Sequence, residues 1–409
     1  MNGNGSLPPI FYRVQARALI VGVIALIVAF AGGWLPASQR EAFFRAYLFS
    51  WFFWFGMSLG PLAWVMLHHM VGAYWSRSIQ RPAEAATLNL WLMAVLFVPI
   101  LLGLKYLYPW AWPELVNHDN VLIHKRGYLN PLAFTIRTVV YFVIWIGLAW
   151  SLAAGSRSYD QTRSLATAKR MRALSAAGIL IFVLTLTLAG VDWLMSRDAN
   201  WYSSIFGFIL SVGSAFSGLL LCIVVTVELL KQEPLKGFVT PQILNDLGNL
   251  VLTLVILWAY LSFAQFLISW TGNIRNEVHW YSNRMQGWTG VLGSMLILFH
   301  FFFPFLLLLI KQNKRKPEVL IRIALVLLLV RLAADYWLIV PTRFALPGSD
   351  MEHSTGRSWL NVLLPIGIGG IWIAAYVWQL NARSVLAVSE HEDETAEQVN
   401  HGHASTHPA

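Results

Sequence analysis

Apolar residues run together in this chain and do not alternate with polar ones. Between Ala18 and Leu380, ten long apolar stretches are separated by mostly short polar segments. About 20 consecutive apolar residues suffice to cross a bilayer as a helix, and a helix satisfies its own backbone hydrogen bonds there. The pattern predicts an all-α, polytopic membrane protein with spans at about 18–36, 45–67, 85–106, 131–152, 173–195, 203–227, 246–269, 287–310, 319–340 and 361–380. Composition points the same way, since 57% of the residues are hydrophobic and 12% charged, far from the balance of a soluble domain. Of the 20 Trp, many fall near span ends (Trp51, Trp54, Trp110, Trp112, Trp193, Trp201, Trp280, Trp288), where headgroup contact favours amphipathic rings.

The polar segments set an expected orientation. On the side of the termini and even-numbered loops lie seventeen Lys and Arg, including Arg77, Arg81, Lys231, Lys314 and Arg383. The other side carries ten: Arg40, Arg45, Lys105, Lys125, Arg126, Arg197, Arg275, Arg284, Arg343 and Arg357. Basic loops favour the cytoplasm, so both termini are expected there. The net charge of +9 is read as basic loops against an anionic leaflet rather than as a nucleic-acid surface. The first span, preceded by Arg13 and Arg17, is too long for a cleaved signal and reads as a retained anchor. Residues 1–388 thus form one membrane domain. Beyond it, residues 389–409 are polar and contain His391, His401, His403 and His407, the composition of a disordered cytoplasmic tail.

Five charged residues inside the spans stand out: Lys105, Arg137, Asp192, Arg331 and Asp335. A charge at mid-membrane costs roughly 2.5–3.5 kcal/mol or more, so each asks for a partner or a role. With the expected orientation all five lie in the middle or outer half, where they are expected to converge on a shared pocket. Arg331 and Asp335 are four residues apart and share a helix face; they either neutralise each other or line a polar cavity that exchanges protons. Asp192, in a last turn, can reach water, and Lys105 can extend to the interface. Arg137 lies about two turns deep and needs a carboxylate or an acceptor-rich neighbour. Toward the cytoplasm lie His68 and His69 after the second span, Glu228 at the end of the sixth, and Asp246 opening the seventh, while His300 is near the middle of the eighth. These are either solvated helix ends or the inner half of a proton route.

The single cysteine, Cys222, excludes a disulfide framework, a cysteine-held iron–sulfur cluster and two-thiol haem attachment. No metal ligand set is expected, and the chain is read as binding no cofactor of its own. A weak internal echo also stands out: the fifth span ends at Asp192-Trp193, and the ninth, four spans on and pointing the same way, contains Asp335-Tyr336-Trp337. Such an echo suggests two four-helix bundles, spans 2–5 and 6–9, with spans 1 and 10 peripheral.

Four segments carry a resemblance: LFSWFFWFGMSLGPLAWVMLHH from Leu48 to His69, VPILLGLKYLYPWA from Val98 to Ala111, VDWLMSRDANWYSSIFG from Val191 to Gly207, and LWAYLSFAQFLISWTGN from Leu257 to Asn273. They resemble the ActF-type subunit of bacterial alternative complex III, within the wider NrfD/PsrC-like membrane proteins, and the likeness extends over nearly all ten spans. The chain departs from that pattern at Ala199-Asn200, where Pro and then a basic or polar residue are expected. The resemblance implies two four-helix bundles in a respiratory quinol:electron-acceptor oxidoreductase. It also implies redox centres in partner subunits: a multihaem cytochrome, an iron–sulfur protein and a paralogous NrfD-like subunit that is the stronger candidate for the quinol pocket.

Two roles follow for this chain, neither with catalytic residues in the strict sense. If it binds quinol or menaquinol, Asp192 and Asp335 accept protons, Arg137 and Arg331 orient them, and Tyr260, Gln265 and Tyr336 are polar liners. If it conducts protons only, the same aspartates form an outer half-route and His68, His69 and Glu228 an inner one. A secondary transporter with a polar midplane site is the alternative, and it predicts broken helices.

Overall fold

A computed structural model describes residues 7–230, 235–342, 344, 358–382 and 386. Lys231, Arg343, Arg357, Arg383 and the tail with its four histidines lie outside these. The described residues are helical, without strands. The helices are α1 (Pro9–Ala29), α2 (Arg40–Val71), α3 (Tyr74–Thr87), α4 (Leu90–Val95), α5 (Val98–Leu102), α6 (Leu104–Leu107), α7 (Pro113–His118), α8 (Asn120–Lys125), α9 (Pro131–Thr162) and α10 (Leu165–Trp193). There follow α11 (Phe206–Leu229), α12 (Leu235–Phe238), α13 (Pro241–Gly272), α14 (Arg275–Met285), α15 (Gly287–Leu296), α16 (Phe303–Leu309), α17 (Lys311–Arg315), α18 (Pro317–Ile339) and α19 (Leu360–Asn381). Nine helical segments among the described residues are long and apolar enough to cross a membrane, which makes this a multi-pass membrane protein. In α18, 23 residues long, apolar sequence is interrupted by Glu318, Arg322, Arg331 and Asp335.

Local sequence explains where the helices begin and end. Pro9, Pro131, Pro241 and Pro317 open α1, α9, α13 and α18, where the missing amide hydrogen costs nothing and φ is already helical. The Asn130 and Thr240 side chains cap α9 and α13 by accepting from the amides of Ala133 and Ile243. Gly72 ends α2 in the left-handed region, at φ 61°. The helices overrun the apolar stretches: α9 continues to Thr162 and α2 to Val71. Hydropathy marks the part of a helix that suits lipid, whereas the backbone hydrogen bonds continue into the polar flanks. His68 and His69 consequently lie in the last turn of α2, not after it.

The third apolar stretch differs most from expectation. Instead of one helix over 85–106, the chain starts at Tyr74 and is broken into α3, α4, α5 and α6 by turns near Leu88-Asn89, Leu96-Phe97 and Gly103. Arg81, counted above as a loop charge, is buried inside α3. It donates to Glu84 at 2.7 Å, to Ser156 at 2.9 Å and to Asp160. The eighth stretch is also interrupted, by a π-helical turn at Ile297–Phe302 that separates α15 from α16.

The deeply buried α2 lies at the centre, packed against α3, α10, α11, α18 and α19, while α1 packs along α19. α9 packs on α10, and α11 also touches α10, α13 and α18. Rings of Trp51, Phe55, Phe97, Trp145 and Trp193 interlock in the core at centroid separations of 4.8–5.8 Å. Trp51, Trp110, Trp193, Trp201 and Trp280 are therefore buried within protein, not in a headgroup belt. An indole near a span end serves either environment, and here helix packing claims it.

Glycine sets the closest helix approaches, as is common in membranes. A Cβ on Gly60 of α2 would lie 1.8 Å from the Ser214 carbonyl oxygen of α11, backbone that cannot swing aside. Gly60→Ala is expected to lower stability by about 1–3 kcal/mol or more, read as a drop in thermal midpoint in detergent. Gly147→Ala, where a Cβ meets nothing within 4 Å, should leave the midpoint unchanged or slightly higher.

Candidate functional site

Four of the five embedded charges form two ion pairs in different parts of the molecule, so the expected single pocket is not formed. The first joins two helices. Arg137 of α9 holds Asp192 of α10 in a two-pronged grip, Nε to Oδ2 and Nη2 to Oδ1 both at 2.9 Å. The Tyr141 hydroxyl donates to Oδ2 at 2.8 Å. Arg137 also donates to the Tyr128 carbonyl oxygen at 3.0 Å and stacks 3.7 Å from that ring. Burial, then the nearby Asp192 carboxylate, pushes the Tyr128 hydroxyl up to about 12, so it stays protonated. The Asp192 side chain is fully buried and does not reach water, because the last turn of α10 faces α9 and α2 and not the surface. Lys105 is exposed and leans over the Trp112 ring.

The second pair lies within one helix. Arg331 Nη2 donates to Asp335 Oδ1 at 2.6 Å, both side chains buried on α18. Gly213 of α11 makes room for the guanidinium, since a Cβ there would lie 2.8 Å from Nη2. This pair forms part of the wall of a cavity of about 830 Å³ enclosed by α11, α13, α14, α15, the π-helical turn and α18. The remaining wall is largely aromatic and aliphatic: Trp201, Phe206, Trp258, Phe266, Trp280, Tyr281 and Phe301 contribute, with Gln265 among the few polar groups. Tyr260 (66% exposed), Phe263 (61%) and Ile297 (56%) also line it, so the cavity opens sideways onto the apolar flank of the bundle.

Of the other proposed liners, Gln265 is buried and accepts from the Ser203 hydroxyl. Tyr336 does not line the cavity; it packs edge-on against Phe49 of α2 at 5.6 Å. One residue along an α-helix is a turn of about 100°, which carries Tyr336 off the face that Asp335 occupies. His300 lies on the π-helical turn, fully buried, with its ring 3.7 Å from the Trp258 ring. Neither of its nitrogens has a hydrogen-bond partner among the described residues. Such turns recur where a helix must present a side chain out of register.

Two arginines that read as loop charges hold the cavity's far end. Arg197 donates to the carbonyls of Ile339 and, at 2.9 Å, Thr342. Arg284 donates to the carbonyls of Trp280 (3.0 Å), Leu338 (2.9 Å) and Trp337 (3.3 Å), and to the Thr342 hydroxyl at 2.6 Å. Both are buried. They cap the carbonyls left over at the end of α18, where the helix dipole also favours positive charge. Arg284 additionally lines a smaller polar cavity of about 430 Å³ with His118, Asp119, Arg197, Asp198 and His279. Their nearest sequence signal is the indole stacking: Arg284 lies 3.5 Å from the Trp280 ring, four residues earlier.

The opposite end holds the remaining candidates. His68 Nδ1 is 2.7 Å from the Ser76 hydroxyl, and its ring meets that of His69 edge-on. Glu228 is half-buried near the end of α11. Asp246, one turn inside α13, accepts from Gln242. Among the described residues no three His, Cys, Asp or Glu side chains are grouped to hold a metal ion. No protein-family model matches the chain, and no curated protein matches it either.

Proposed function

We propose that this chain is an integral membrane subunit of a respiratory quinol:electron-acceptor oxidoreductase of the alternative complex III type, with the cavity of α11–α18 as its quinol slot. The carrying observation is the laterally open, aromatic-walled cavity with the buried Arg331–Asp335 pair in its wall. A hydrophobic ring with polar oxygens partitions into the bilayer and enters from the flank. Quinol oxidation breaks two O–H bonds and releases two electrons and two protons; Asp335 takes the proton of one ring hydroxyl, the proton of the other leaves to water, and the two electrons pass to redox centres in partner subunits. General-base transfer of this kind needs a carboxylate within hydrogen-bond reach of the hydroxyl.

In this reading α18 is a tenth span, its length of 23 residues giving about 34 Å, enough for the hydrocarbon core. In the same reading α2, α3–α5, α9 and α10 make one bundle of four spans and α11, α13, α15–α16 and α18 the other, joined through α2 and α11, with α1 and α19 outside. The termini face the cytoplasm of a bacterial inner membrane. Among the described residues, burial of Arg45, Arg197 and Arg284 on the sparsely charged side, and of Arg81 and Lys314 on the other, leaves thirteen basic residues against five and widens the bias. The partners are a multihaem cytochrome, an iron–sulfur protein and a paralogous subunit. Arg137 and Asp192 serve as a structural clasp between α9 and α10 rather than as proton acceptors.

The broken α3–α6 segment and the π-helical turn at His300 favour one other reading, a secondary transporter with a midplane site. Gentle purification from native membranes separates the two. Co-purifying haem absorbance, an iron–sulfur subunit and quinol-dependent reduction of that haem are expected. A colourless, solitary protein that moves solute across vesicles would overturn the respiratory reading.

A further inference from the structure

Two buried donors in the cavity wall have no acceptor among the described residues. One is the Trp201 indole N–H, on a residue 3% exposed; the other is Arg331 Nε, beside the Nη2 that Asp335 accepts from. Buried indoles elsewhere in the protein do find acceptors: Trp51 on the Met93 carbonyl, Trp145 on Thr185, Trp193 on Thr138 and Trp372 on Ser58. Trp201 differs, and it is held firmly, stacked 4.5 Å from the Trp280 ring and edge-on to Phe206 at 5.2 Å. Leaving a buried donor unmatched is unfavourable unless something else supplies the acceptor.

The donors lie at different depths. Trp201 belongs to the aromatic group at the capped end of α18, where Trp280 meets Trp337 edge-on at 5.8 Å. Arg331 is six residues before Trp337, about 9 Å along the helix axis. A six-membered ring bearing opposed oxygens, with a hydrogen bond at each end, spans about 10 Å. We infer that the cavity selects a flat ring with accepting oxygens on opposite edges, and that Trp201 binds the oxygen nearer the capped end while Arg331 and Asp335 take the other. This rests on the quinol reading of the cavity and names a binding residue within it.

The test uses the intact purified protein with its partners and two fluorescent probes: an alkyl hydroxyquinoline N-oxide, with oxygens on opposite ring edges, and the same alkyl hydroxyquinoline without the N-oxide oxygen. The wild type should bind the N-oxide at least about fivefold more tightly. Trp201→Phe, which keeps an aromatic stack, should weaken N-oxide binding by roughly five- to fifteenfold and leave the other probe within about twofold. Loss of ring packing alone would weaken both probes alike and overturn the inference. Unchanged N-oxide affinity in Trp201→Phe, or equal wild-type affinities for the two probes, overturns it while the quinol reading stands. Failure of the wild type to bind either probe removes both.

Discussion

Arg137→Met is expected to destabilise the protein by roughly 3–5 kcal/mol, the cost of stranding a buried charge by removing its partner. Asp192 has no exposed side-chain surface, and two of the hydrogen bonds to its carboxylate come from Arg137. Without them, the Tyr141 hydroxyl is left as a neutral donor to a buried anion between α9 and α10. The measurement is the thermal midpoint in detergent together with the yield of folded protein. Adding Asp192→Asn to Arg137→Met should recover much of the loss, because a neutral amide needs no countercharge. If the single and double variants both melt with the wild type, the clasp contributes nothing and its residues are free for another role. If the double variant is the worse of the two, the aspartate is held by something other than Arg137.

Much of this architecture was legible in the apolar runs, since a membrane span has one dominant requirement and hydropathy reports it directly. The limits of the helices were not, because α2 and α9 keep their hydrogen bonds well into polar sequence. The Arg331–Asp335 pair was legible from spacing, since residues four apart meet on one helix face. Arg137 and Asp192 each stood out, yet their pairing depends on how α9 turns against α10, which no periodicity within either helix encodes. Arg81, Arg197 and Arg284 depart from the loop pattern for a common reason. A basic residue beside loop sequence looks solvated, whereas these three fold inward onto carboxylates or onto the carbonyls ending α18. Trp201 was legible as aromatic; its lack of an acceptor appears only once its surroundings are assembled.

The two aspartates then predict opposite behaviour, and the contrast tests the proposed chemistry. Asp335→Asn keeps the shape of the side chain and an oxygen to accept from Arg331 Nη2, so the fold and the cavity should persist. What it loses is the capacity to take a proton. Removing a positioned general base typically costs about 10²–10⁴ in rate, so quinol turnover per folded complex should fall by at least about a hundredfold while quinone-analogue affinity changes by only a few-fold. Asp192→Asn lines neither cavity and should alter the melting temperature but leave turnover per folded complex within about threefold. Steady-state quinol oxidation, normalised to haem in the purified complex, gives both rates. Turnover within threefold of wild type in Asp335→Asn would assign α18's ion pair to structure. Abolished turnover in a well-folded Asp192→Asn complex would move the chemistry to the α9–α10 clasp. The expected outcome separates the two pairs by what they face: Asp192 meets only protein, whereas Asp335 forms part of a chamber that a lipid-soluble ring can enter.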